Sequence, residues 1–138
     1  MSKVDNTVRI PTSIKGSFFK CWLEFLAPLH HLTPREIDVA SAFLKQRYEL
    51  GKVVSDPDLL DKIIMSEETK AKVREDCNIS AAHFQVIMGK LRKNNVIKDN
   101  KINQKLIPKF NAESNNCLLL ICFDLDTKEV TEEQSNEA

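Results

Sequence analysis

Apolar residues recur along most of this chain at helical spacing, and capping residues mark where the helices begin. From Ile14 onward, Phe18, Trp22, Phe25, Leu26 and Leu29 predict a first helix after the breaker Pro11-Thr12-Ser13. Thr33, Pro34 and Glu36 then form an N-cap, a first-turn proline and a capping-box acid, with Leu32 and Ile37 placed as the hydrophobic staple. The stripe Ile37, Ala40, Phe43, Leu44 and Tyr48 predicts a second helix, closed by Gly51. A short helix starts at Asp56-Pro57 and carries Leu59, Leu60, Ile63 and Ile64. Another starts at Ser66-Glu67-Glu68, whose acids suit the positive end of the helix dipole, with Ala71 and Val73 as its small apolar contacts.

Cys77-Asn78 closes that helix, and after Ile79 the side chain of Ser80 caps a fifth one over 81–94. Phe84, Ile87, Met88 and Leu91 form its narrow apolar stripe. The opposite face holds Ala82, Val86, Gly89 and Lys93, flanked by His83, Gln85, Lys90 and Arg92. A merely solvated helix would carry long charged side chains there, whereas this face is small and partly apolar. Gly89 costs the helix about 1 kcal/mol relative to Ala, so either something approaches the backbone closely there or the residue is a tolerated accident.

After Asn94-Asn95 the apolar period changes from helical to alternating. Residues 96–98, a turn at Asp99-Asn100, and 101–107 predict a β-hairpin of alternating lysine and apolar residues, stopped by Pro108. Residues 111–116 read as a polar loop. The run 117–123 is continuously apolar and of strand length, so a strand covered on both faces is expected. Residues 3–10 alternate weakly and suggest an edge strand. The expected organisation is an N-terminal arm over 1–13, one folded domain over 14–123 and an acidic disordered tail over 124–138. The fold class is mainly α with a small β-sheet: about five helices, a hairpin and one further apolar strand. A tight turn between the last two helices, followed by a basic hairpin, is the outline of a winged helix-turn-helix.

Composition narrows the classes. With 138 residues and 42% hydrophobic residues, the chain has enough apolar side chains for one core. No apolar run approaches membrane-spanning length, and the first residues lack the pattern of a signal peptide, so a cytoplasmic protein without membrane contact is expected. Cys21, Cys77, Cys117 and Cys122 form no C-x-x-C pair and His30, His31 and His83 do not cluster, so buried free thiols and no metal or other cofactor are expected. With only three glycines there is no phosphate-cradling loop, and neither a G-x-S-x-G elbow nor an H-E-x-x-H pair occurs. The carboxylate pairs Asp56/Asp58 and Glu67/Glu68 are explained by capping, and Ser80, beside His83, is already used as a cap. The chain therefore reads as a non-enzyme. Its net charge is zero, but the distribution is uneven. Residues 90–109 hold seven basic side chains against Asp99 alone, a net +6, and from Asp124 onward six acids face only Lys128, a net −5.

Leu32-Thr33-Pro34-Arg35-Glu36 resembles the opening of the LuxR-type DNA-binding domain, and Ile79-Ser80 with Lys90-Leu91 resembles the two ends of that family's recognition helix. The segment between these motifs is longer than in that family and holds an extra helix. The basic hairpin is more similar to winged-helix proteins, so the general winged helix-turn-helix is what the resemblance implies. The lysine- and asparagine-rich composition and acidic tail are also similar to small proteins of tailed bacteriophages, including the crAss-like group.

The expected function is duplex-DNA binding by a transcriptional or replication/packaging regulator. Ala82, His83, Gln85 and Val86 would lie nearest the bases, Gln85 pairing with adenine and Val86 touching a thymine methyl. Gly89 would permit close approach. Lys90, Arg92, Lys93, Lys98, Lys101 and Lys105 would hold phosphates, and the acidic tail would compete with DNA. The alternative is a protein-assembly module, with a protein partner or a homo-oligomer, such as a phage virion structural or adaptor subunit.

Overall fold

The computed structural model describes residues 7–13, 16–111, 113 and 115–126, and the chain divides into two compact units, one through Pro108 and one from Lys109. Residues 3–6 of the expected N-terminal strand and 127–138 of the expected tail lie outside the described residues, and 7–10 carry no regular element.

The first unit is mainly helical. In chain order it holds α1 (Phe18–Phe25), α2 (Ala27–His30), α3 (Pro34–Gly51), α4 (Pro57–Ile64), α5 (Glu67–Asp76) and α6 (Ala81–Lys93). A short hairpin of β1 (Ile97–Lys98) and β2 (Lys101–Ile102) and a 3-10 turn (Gln104–Leu106) complete it. The second unit contains another antiparallel pair, β3 (Phe110–Asn111) with β4 (Asn116–Cys117).

The expected first helix is two helices. It stops at Phe25, and Pro28 sits in the first turn of the four-residue α2. This break raises the count from five to six among the described residues. It also rotates the buried face: Phe19, Leu23 and Leu26 enter the core, while the expected Phe25 and Leu29 are exposed. His30 ties the joint together. Its Nδ1 accepts from the Leu32 N–H at 2.9 Å, so the ring proton sits on Nε2, which donates to the Leu23 carbonyl at 2.7 Å. Donor and acceptor are both used inside the protein, which is how a fully buried imidazole is tolerated.

Helix α3 is the axle of this unit, packed against α1, α4, α5 and α6. Its start forms as expected, with Thr33 and Glu36 closing a reciprocal capping box and Pro34 at the first position. Ile37, Ala40, Phe43 and Leu44 are buried, and so is Val39, because neighbours on several sides widen the covered face. Asp61 of α4 grips Arg47 of α3 at 3.3 Å in a largely buried ion pair. Asp56, Ser66 and Ser80 all cap their helices through side-chain oxygens.

Two expectations about strands are corrected. The hairpin does not run to Ile107: Asn103 accepts from the Lys105 N–H and turns the chain into the 3-10 segment after only two residue pairs. The apolar run 117–123 is not a covered strand either. Only Cys117 pairs, while Leu118, Leu120 and Phe123 are exposed and carry no regular element. A strand needs a neighbouring edge, and Pro108, just before Lys109, has no N–H with which to prolong the β3 side of the ladder. The cysteines are free, but Cys21, Cys77 and Cys117 are only partly covered and Cys122 is exposed, so they are not the buried thiols expected. Among the described residues no helix is long and apolar enough to cross a membrane, and none of the potential metal-ligating side chains cluster in threes.

Candidate nucleic-acid interface

The site is built around α6, whose placement begins at the end of α5. Asn78 adopts a left-handed conformation (φ 53°). Its N–H bonds the Glu75 carbonyl at 3.0 Å, and the Ile79 N–H bonds that of Arg74 at 3.3 Å. This pair of bonds is the Schellman closure, and asparagine tolerates the conformation better than other residues that carry a Cβ. Arg35 then locks the turn from outside. Its Nη2 donates to the Cys77 carbonyl at 2.7 Å, while Nη1 pairs with Asp38 at 3.5 Å. A guanidinium suits carbonyls at a helix C-terminus, where the dipole is negative. Cys77 is held in the same joint, its thiol pointing at the Asp38 carbonyl at 3.6 Å, and burial pushes that thiol up from its ordinary pKa, with Arg35 partly offsetting the rise.

Helix α6 buries Phe84, Ile87, Met88 and Leu91 as the spacing predicts. Ala82, His83, Gln85, Val86, Gly89, Lys90, Arg92 and Lys93 are all exposed, with Val86 60% accessible. Ser80 Oγ accepts from the His83 backbone N–H at 3.1 Å and so serves as the cap. A methyl group placed on Gly89 would meet nothing within 4 Å, so no packing within the protein requires a glycine there. Gly89→Ala is accordingly expected to raise stability by about 1 kcal/mol, read as a higher denaturant midpoint, through helix propensity alone. If a ligand backbone approaches that face, the same variant binds it more weakly.

A second Schellman closure ends α6. Asn95 is left-handed (φ 61°), and the Val96 N–H bonds the Leu91 carbonyl at 2.9 Å. The chain then enters β1. Asp99 and Asn100 both have positive φ (55° and 57°), as a type I′ hairpin turn requires. In the ladder Ile97 faces Ile102, both buried, and Lys98 faces Lys101, both exposed. The hairpin is fastened at its base by Asn103, which donates through Nδ2 to the Asn95 carbonyl at 2.8 Å. Trp22 of α1 donates its indole N–H to the Leu106 carbonyl, also at 2.8 Å, and anchors the 3-10 turn that carries exposed Lys105.

The structure thus brings the α6 residues onto one exposed helix and sets Lys98 beside Lys101. None of Lys90, Arg92, Lys93, Lys98, Lys101 or Lys105 forms an ion pair among the described residues. Like charges directly opposite on a two-stranded ladder are destabilising, and the register sets Lys98 and Lys101 across from each other beside the Asp99-Asn100 turn. Lys109 belongs to the second unit. Sequence reasoning missed Arg35 as the residue that holds the turn before α6. It also missed an open concavity of about 560 Å³ at the α5–α6 junction, lined in part by Lys72, Arg74, Asn78 and Ser80. No family model, curated protein or solved structure matches the chain.

Proposed function

We propose that this protein is a winged helix-turn-helix that binds duplex DNA, with α6 in the major groove and the β1–β2 hairpin as the wing. The observation that carries the reading is Lys98 opposite Lys101 at the tip of a hairpin whose inner face is fully packed. Facing lysines with only Asp99 nearby in the sequence favour a further anion at the tip, and a phosphate backbone offers anions in a row. The small outward face of α6 supports the same reading, since Ala82, Val86 and Gly89 let the helix approach a surface closely. Gln85 is then the residue suited to read a base edge, and Lys90, Arg92, Lys93 and Lys105 supply further phosphate contacts. Arg35 and Trp22 are positioning residues: one holds the turn before α6, the other the 3-10 turn that follows the hairpin. A second reading, a protein-assembly module, is favoured by the exposed Val86, an apolar side chain that suits a protein surface as well as a groove.

The test is fluorescence polarisation with a random-sequence duplex over a range of salt concentrations. Six phosphate contacts predict that log affinity falls with log salt at a slope of about −5. Absence of binding at low salt would overturn the nucleic-acid reading and leave α6 as a protein-facing helix.

A further inference from the structure

The open concavity of about 560 Å³ at the α5–α6 junction has a wall rich in hydrogen-bond donors. Lys72 and Arg74 of α5 bring donors and no acceptor. Ser80 Oγ accepts from the His83 backbone N–H at 3.1 Å, which leaves its O–H to donate, and Asn78 adds a side-chain amide. Glu75 is the single acid of the wall, so the two cations outnumber it. Ala71 and Ala81 are small and leave the space between these groups open. Such a wall suits a compact anion rich in acceptor oxygens, which is the chemistry of a phosphate group.

We propose that this concavity is a phosphate site that holds a backbone phosphate of the DNA strand lying along one flank of α6. The inference rests on the reading of α6 as the helix that enters the groove. At about 100° per residue, Ala81, Gln85 and Arg92 share that flank, and Ala81 is the end of it that borders the concavity. Ala81 and Arg92 are roughly 16 Å apart along the helix axis, from the rise per residue. Arg92 is already a phosphate contact in that reading, and the concavity adds a second one at the opposite end of the flank. Gln85 then stands between two fixed points of the strand, so its amide meets the base edges in a defined register. Lys72 and Arg74 carry no sequence preference themselves and act on specificity only through that register.

The experiment repeats the salt series with the random-sequence duplex on the full chain as wild type, Lys72→Ala/Arg74→Ala, and Ala71→Leu, which narrows the concavity without changing charge. Ala71 and Lys72 are exposed and Arg74 is half-buried, so both variants are expected to keep the circular dichroism and unfolding midpoint of wild type. The double variant is expected to bind about tenfold more weakly, with a salt slope shallower by about 1, the value for one phosphate. Ala71→Leu is expected to bind several-fold more weakly and to lose the same increment of slope with every charge in place. Duplex binding by wild type that neither variant alters overturns the site and leaves α6 and the hairpin as proposed. A loss confined to the double variant marks a general effect of charge and overturns the site as well. Inorganic phosphate is the second probe. If it raises the unfolding midpoint of wild type but of neither variant, while no duplex binds, the concavity takes a free phosphate, and both this proposal and the DNA reading are overturned.

Discussion

Replacing Phe43 with Ala is expected to destabilise the protein by about 3–5 kcal/mol, the range for deleting a buried aromatic side chain. Domains of this kind are typically stable by only about 5–15 kcal/mol, so the variant sits near the edge of folding at physiological temperature. Phe43 is 1% exposed on the central helix α3, and its ring lies 6.3 Å from that of Phe84 on α6. It also lines the small apolar interior formed with Leu23, Leu91, Ile97 and Ile102, so one side chain supports α1, α6 and the hairpin together. Little else can move in to fill the gap, because its neighbours are fixed to three different elements. Urea unfolding monitored by circular dichroism reads the effect as a lower midpoint. Phe25→Ala is the control: the ring is half exposed, and a shift within about 0.5 kcal/mol is expected. Equal losses from the two variants would contradict this description of the core.

The second large effect concerns binding. Reversing both hairpin lysines, Lys98→Glu with Lys101→Glu, is expected to weaken duplex-DNA binding on the order of a hundredfold and to make the salt slope shallower by about 2. Stability should barely change, because one like-charged cross-strand pair replaces another. The single variant Lys98→Glu separates the two roles. It sets a glutamate opposite Lys101, an attractive pair that should stabilise the hairpin by about 0.2–1 kcal/mol while still impairing DNA binding. A protein that grows more stable as it binds less is the signature of charges kept for a ligand rather than for the fold. If both variants bind like wild type, the hairpin is no wing.

How much of this was legible in the sequence depended on how local the determining physics was. Helix α6 was readable almost to the residue, because its cap at Ser80, its stripe from Phe84 to Leu91 and the asparagines at its end act over one or two turns. The capping box at Thr33 was equally plain. The break after Phe25 was missed because the apolar period runs through it, although Pro28 marks the restart. Val39 was missed for a different reason: it lies off the main stripe and is buried only because α3 has several neighbours. The error over 117–123 was the least local. Apolar β-formers describe what a segment can do in a sheet, but pairing depends on an edge elsewhere, and among the described residues the ladder of its own unit ends at Cys117. The lysines of the site were visible as a charge cluster, while the fact that two of them stand face to face required the register.

Trp22 is the only tryptophan in the chain, and its indole N–H is bonded to the carbonyl of Leu106, where the hairpin segment comes to rest. The protein therefore contains its own optical gauge. Indole emission depends on the polarity around the ring and on whether that N–H is held by the protein or by water. Any event that lifts the end of the hairpin from α1 should register as a spectral change without a dye, a label or a second tryptophan to confuse the signal.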